Sequence, residues 1–137
     1  MKRHFFAPAL LLFFPPLLTG CHKDTIVGKW QGPVAGAGLT LTYEFTEDGH
    51  ERSILQVSGT PVPAANDAKG MADTMSSSGT YTVSGATLTQ NITVSHFGGT
   101  TSQVSEAQVG TWALDGDHLT LTDSKTKKPF KLTRIKD

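Results

Sequence analysis

Four histidines follow the apolar N-terminus, His22, His50, His96 and His118, and imidazole is the side chain best suited to proton transfer or metal binding near neutral pH. No two of them show the H-E-x-x-H spacing, or any other spacing that sets two ligands on one element. They read as surface residues. A nucleophilic serine would sit in a strained turn such as G-x-S-x-G with a base nearby. The chain has no such motif, and Ser58-Gly59 and Ser84-Gly85 read as ordinary turns. Carboxylates gather in two places. Glu44, Glu47, Asp48 and Glu51 surround one turn, and all four are expected to face solvent, whereas acid and base work needs one desolvated partner. Asp115 and Asp117 flank Gly116 in a turn whose oxygens are too few for calcium. The sequence therefore assigns no catalytic residue, no metal and no cofactor, and the chain is expected not to be an enzyme.

The single cysteine, Cys21, stands at the boundary between two compositions. Before it, Lys2 and Arg3 precede an apolar stretch from Phe5 to Leu18, the charged and apolar regions of a secretory signal. The stretch is shorter than the roughly 20 residues of a spanning helix, and Pro8, Pro15 and Pro16 interrupt it. Leu18-Thr19-Gly20-Cys21 resembles the lipobox of bacterial lipoproteins, in which an aliphatic residue, two small residues and a cysteine are read by a lipid transferase and a dedicated signal peptidase. The resemblance implies a signal peptide over residues 1–20, diacylation (palmitate-type lipidation) of Cys21, and a short tether over 21–24 that binds the protein to a membrane. Two or more acyl chains hold stably where one does not. His22 occupies the place where asparate marks retention at the inner membrane, so the resemblance implies the outer membrane, on its periplasmic face or surface, in a host that has one.

With Cys21 lipidated, no thiol remains for a disulfide, a nucleophile or a metal. Removal of residues 1–20 from 137 leaves 117, enough for one domain with one core. Ten basic residues then face twelve acidic ones, a balance that argues against a nucleic-acid partner. Lys125, Lys127, Lys128, Lys131, Arg134 and Lys136 are crowded into the last thirteen positions. Lysine there would either block edge-to-edge pairing or meet an anion such as a lipid head group.

These residues must be positioned by strands. Leu39, Leu41, Tyr43 and Phe45 alternate with Thr40, Thr42, Glu44 and Thr46, the period of a half-buried strand. Asp48-Gly49 turns the chain, and residues 50–57 return. Further runs rich in Thr and Val, at 79–85, 86–97, 102–114, 117–123 and 129–135, join residues 26–31 to make eight expected strands. Residues 61–78 read as a long loop with room for one helical turn. An internal echo runs through the chain. Gly79-Thr80-Tyr81 and Gly110-Thr111-Trp112 each open a hairpin-like segment, and Gly28-Lys29-Trp30 is a partial third copy. Glycine at such places lets a curved sheet bend while the aromatic fills the core.

The opening Gly28-Lys29-Trp30, the strand ending in Glu47-Asp48-Gly49, and the closing run from Gly110 to Asp123 resemble the lipocalin-like domains of small bacterial lipoproteins. The resemblance implies an all-β antiparallel up-and-down meander of about eight strands over residues 25–137, forming a small barrel. Trp30, Tyr43, Phe45, Tyr81 and Trp112 are then the candidate lining of a pocket for a small apolar or amphiphilic ligand. Such a barrel can also be filled by its own side chains. In that case the protein would be an interaction module for an envelope protein, inhibitor-like or structural.

Overall fold

Threonine and valine, stiff at χ1 and suited to a pleated surface, carry the chain into eight strands: β1 (Gly28–Val34), β2 (Leu39–Phe45), β3 (His50–Val57), β4 (Met75–Ser84), β5 (Thr87–Phe97), β6 (Thr100–Asp115), β7 (His118–Asp123) and β8 (Pro129–Arg134). The structure is a computed structural model and describes residues 25–63 and 74–136. The expected signal segment 1–20, Cys21 and the tether 21–24 lie outside the described residues, as does the middle of the long loop. Each strand runs antiparallel to the next and β8 returns to β1, closing an all-β meander barrel. The eight strands between Gly28 and Arg134 close the barrel among themselves. One expectation is corrected here. Residues 75–78 were expected in the loop, but they begin β4, because Met75 and Ser77 continue the ladders with Leu55 and Ser53 on one side and with Phe97 and Ser95 on the other.

One end of the barrel is filled. Ile26, Trp30, Phe45, Leu88, Leu119 and Leu132 form its buried cluster, and Tyr43, Tyr81, Trp112, Leu114, Leu121 and Phe130 pack around it. The echoed motif has a common task at this end. Trp30 Nε1 donates to Ile26 O at 2.7 Å, Tyr81 Oη donates to Thr46 O at 2.7 Å, and Trp112 Nε1 donates to Gly85 O at 3.0 Å. Each aromatic thus buries its ring against the core and uses its one donor on a carbonyl of a closed-end connection. The glycines of the two full copies do not open strands as expected. Gly79 and Gly110 lie within β4 and β6, where a Cβ would fall 1.9 Å from Asn91 O and 2.4 Å from Thr122 O. Neighbouring backbones approach there more closely than any side chain allows.

The seam between β1 and β8 is narrow. Its register holds two pairs, Trp30 with Arg134 and Gln31 with Thr133. Arg134 reinforces it from above the ring, with its guanidinium carbon 4.0 Å from the Trp30 centroid. The same guanidinium donates to Val27 O at 2.9 Å and Thr25 O at 3.2 Å, and stands 3.7 Å from Asp117.

The opposite end is uneven, because the strand lengths differ. β6 has 16 residues, while β7 and β8 have 6 each. β6 pairs with β7 only from Gly110 to Asp115. Thr100–Gln108 therefore pair with β5 on one side and with no strand on the other, among the described residues. The β5–β6 hairpin rises beside a low wall made by the β7–β8 connection.

Arg134→Ala is expected to lower unfolding stability by about 2–3 kcal/mol, from the lost cation–π contact and charged hydrogen bonds. Arg134→Lys should recover only part of it, since an ammonium cannot stack on the ring and reach two carbonyls together. Urea denaturation followed by tryptophan emission measures both.

Candidate functional site

Cross-strand partners share a face, so the register fixes what enters the lumen. From the filled end upward, β2 presents Phe45, Tyr43, Leu41 and Leu39, and β3 presents Glu51, Ser53, Leu55 and Val57 opposite them. β4 adds Tyr81, Gly79, Ser77 and Met75, and β5 adds Leu88, Gln90, Ile92 and Phe97. Three layers follow. The lowest is solid, with Trp30 at 0% exposure and Phe45, Leu119 and Leu132 almost as deeply buried. The middle layer carries polar groups. The uppermost is apolar and open: Leu41, Leu55, Met75 and Phe97 lie in one cross-strand row, yet Met75 is 45% exposed, Val57 61% and Phe97 65%.

The five aromatics singled out from the sequence all reach the inner face, but at different heights. Trp30 and Phe45 belong to the buried core, and Tyr43, Tyr81 and Trp112 pack against it. Tyr43 stacks on Phe45 with centroids 5.6 Å apart, and Phe45 meets Tyr81 edge-on at 5.0 Å. Of the five, only Tyr43 lines the half-open cavity of about 120 Å³ in the middle layer. Its other walls include Leu88, Gln90, Gln108, Leu121, Lys128 and Phe130.

Glu51 corrects a second expectation. It was read as solvent-facing, but β3 begins at His50 and alternation turns Glu51 inward beside Phe45 and Gly79. Glu51 is 3% exposed. Its Oε2 accepts from Gln90 Nε2 at 3.1 Å, while Oε1 has no hydrogen-bond partner among the described residues. Burial pushes its carboxyl above the usual value, and the Gln90 bond pulls the other way with less effect. Tyr43 is pushed up to about 12, first by its own burial and then by the Glu51 charge.

The other chemical candidates are not brought together. His50 lies 3.8 Å from Asp48 at an exposed turn, and His96 shares a 2.8 Å hydrogen bond with Thr101 at the other end of the barrel. His118 is exposed at the start of β7. Among the described residues no group of three His, Cys, Asp or Glu is placed to hold a metal ion. Asp117 bonds Lys136 at 2.9 Å rather than pairing with Asp115 across a cation. The basic C-terminal run is split. Arg134 and Lys136 stay at the filled end beside Thr25, whereas Lys125, Lys127 and Lys128 form the β7–β8 connection at the opposite end.

No protein-family model matches the chain. A search of curated proteins returns no significant match either. Function must therefore be argued from the lumen itself.

The sequence did not single out Leu41, Leu55, Met75 and Phe97 as a site, because each alone is an ordinary strand residue. Only the registers show that they adjoin. Gln90 gave no signal at all, and Lys128 stood out only as one of the crowded basic residues of the C-terminal run.

Glu51 makes stability depend on pH with a definite sign. A carboxyl with a raised pKa holds its proton more tightly in the folded chain. Its contribution is therefore fully present below the ordinary value of 4.5 and is lost as pH rises through the folded value. Asp48, Asp117 and Asp123 are shifted down and act in the opposite sense, below that range. The urea midpoint is expected to fall between pH 4.5 and neutral, and Glu51→Gln should flatten that slope. A slope unchanged by the substitution would remove Glu51 as its source.

Proposed function

We propose that this protein is a lipid-anchored, non-enzymatic lipoprotein of the cell envelope whose lipocalin-like barrel binds a small apolar or amphiphilic molecule in its open half. The observation that carries the reading is the apolar row inside the barrel, exposed at Met75 and Phe97. Burying a large aliphatic or aromatic side chain is worth about 1.5–3 kcal/mol, and folding forgoes much of that at Val57, Met75 and Phe97. The filled lower layer supplies the stability, and the upper layer is left for a ligand. Contiguous apolar surface of this kind marks a binding site more often than an accident of packing.

The cavity below the row sets a limit. At about 120 Å³ it is smaller than the roughly 300 Å³ of a pocket that engulfs a drug-sized molecule. A ligand would place one end in it and lie along the row above. The anchor follows from Leu18-Thr19-Gly20-Cys21. Because Thr25 lies at the filled end, acylated Cys21 would set the mouth of the barrel away from the bilayer.

A second reading has its own observation. The unpaired edge of β6 from Thr100 to Gln108 contains no lysine and no proline, the residues that usually block strand addition. An extended segment of an envelope protein could dock there by backbone hydrogen bonds.

Two measurements test these readings. Leu55→Asp and Met75→Asp, at sites that leave the lower core intact, should abolish saturable binding of a neutral probe such as 1-decanol, measured by calorimetry on the chain from residue 22. Absence of binding by the unsubstituted chain would end the ligand reading, and loss of a co-purified protein on Ser105→Pro would favour the second. Separately, Cys21→Ser should abolish incorporation of labelled palmitate and leave the chain uncleaved. Continued labelling or cleavage would end the anchoring claim.

A further inference from the structure

We propose that the molecule taken up by the open half of the barrel is an anionic amphiphile, with its head group held by the lysine turn between β7 and β8 and its chain on the apolar row. The inference rests on the ligand-binding reading above and adds the charge and the point of entry.

The entry follows from strand length. Beside the 16 residues of β6, β7 and β8 stop after 6, so the barrel wall is low between β6 and the β7–β8 connection. The cavity lies at that gap. Its lining comprises Gln108 to Thr111 of β6 on one side and Thr122, Asp123, Lys128 and Phe130 on the other, with Tyr43, Leu88 and Gln90 behind. Lys128 is the one cation among these walls.

The turn that carries Lys128 is tightly built. Asp123 Oδ1 accepts from Lys125 N at 2.9 Å and Thr126 N at 2.7 Å, and Lys127 N donates to Asp123 O at 3.0 Å. These bonds hold Lys127 at φ 57°, the only positive φ of a non-glycine residue among the described ones. A lysine pays strain in that region that glycine would not. The turn nevertheless keeps a lysine there, and so presents Lys125, Lys127 and Lys128 together.

None of the three lysines forms an ion pair among the described residues. The acids around them are accounted for. The Asp123 carboxylate is turned back onto the backbone N–H groups of its own turn, which hold its pKa below the usual carboxylate value. Glu106, on the inner face of β6, accepts from Gln108 at 3.0 Å. Glu51 is buried behind Gln90, away from the rim. Lys125, Lys127 and Lys128 against Asp123 and Glu106 leave the rim of the gap with an excess of one positive charge that a carboxylate or phosphate would offset.

Size fixes the remainder. A cavity near 120 Å³ holds a group about as large as benzene, so an alkyl chain that starts at Lys128 must continue along Leu41, Leu55, Met75 and Phe97. Head and tail are then matched by two adjoining surfaces of opposite character.

Calorimetric titration of the chain from residue 22, which contains the whole barrel, separates the claims. The probes are decanoate, monodecyl phosphate, 1-decanol and inorganic phosphate. Decanoate and monodecyl phosphate are expected to bind roughly tenfold more tightly than 1-decanol at low ionic strength, and raised salt should erode that preference. The triple variant Lys125→Gln, Lys127→Gln, Lys128→Gln should bring the charged probes to the affinity of 1-decanol, and Lys128→Gln alone should account for much of the loss. An unchanged urea midpoint shows that the variants remain folded. Equal affinity for 1-decanol and decanoate would overturn the charge assignment while the binding reading stands. Failure of every alkyl probe would overturn both. Inorganic phosphate binding as tightly as monodecyl phosphate would overturn the role of the apolar row.

Discussion

The barrel depends on the contact between Trp30 and Arg134. They are one of only two register pairs that join the last strand to the first, so the ring and the guanidinium must close a seam that backbone bonding alone closes weakly. The indole is fully buried, with its N–H on Ile26 O, and the cation covers its face while reaching the carbonyls of Thr25 and Val27. The contact spans more than 100 positions of sequence. Loop closure of that length is costly and slow, and the energy concentrated at this one point is what makes closure worthwhile.

From that seam the division of labour follows. Aromatic rings accumulate at the same end, and Trp30, Tyr81 and Trp112 each spend their polar atom on a backbone carbonyl there, so the lower layer is packed and its ring donors are satisfied. The upper layer need not contribute to folding. It can therefore keep apolar side chains in the open and a low wall beside β7 and β8. Between the two layers stands Glu51, a carboxyl that costs stability at neutral pH and has no structural purpose that the surrounding hydrogen bonds reveal.

Much of the architecture was legible in the sequence because it is local. Alternation in residues 39–45, the Asp48-Gly49 turn and the threonine-rich runs marked strands whose bounds the structure alters by only a few residues in most cases. The inward direction of Trp30, Tyr81 and Trp112 was legible for the same reason. What escaped depends on pairs distant in sequence. Met75 is a strand residue only because Leu55 and Phe97 flank it, and Glu51 is buried against Gln90, 39 positions away. Glycines 79 and 110 looked like strand starts, whereas their role is set by backbones that cross at a distance no periodicity encodes.

One consequence of the seam concerns the ends of the barrel's chain. Ile135 N donates to Lys29 O at 2.8 Å, and Arg134 holds the carbonyl of Thr25, so the first and last described residues are neighbours in space. A short linker could join them and the chain could be cut instead at Gly98-Gly99, giving a circular permutant with the same barrel. If the chain is anchored through Cys21 as proposed, the same proximity would place a reporter fused at the C-terminus close to the bilayer and far from the mouth, leaving the lumen unobstructed.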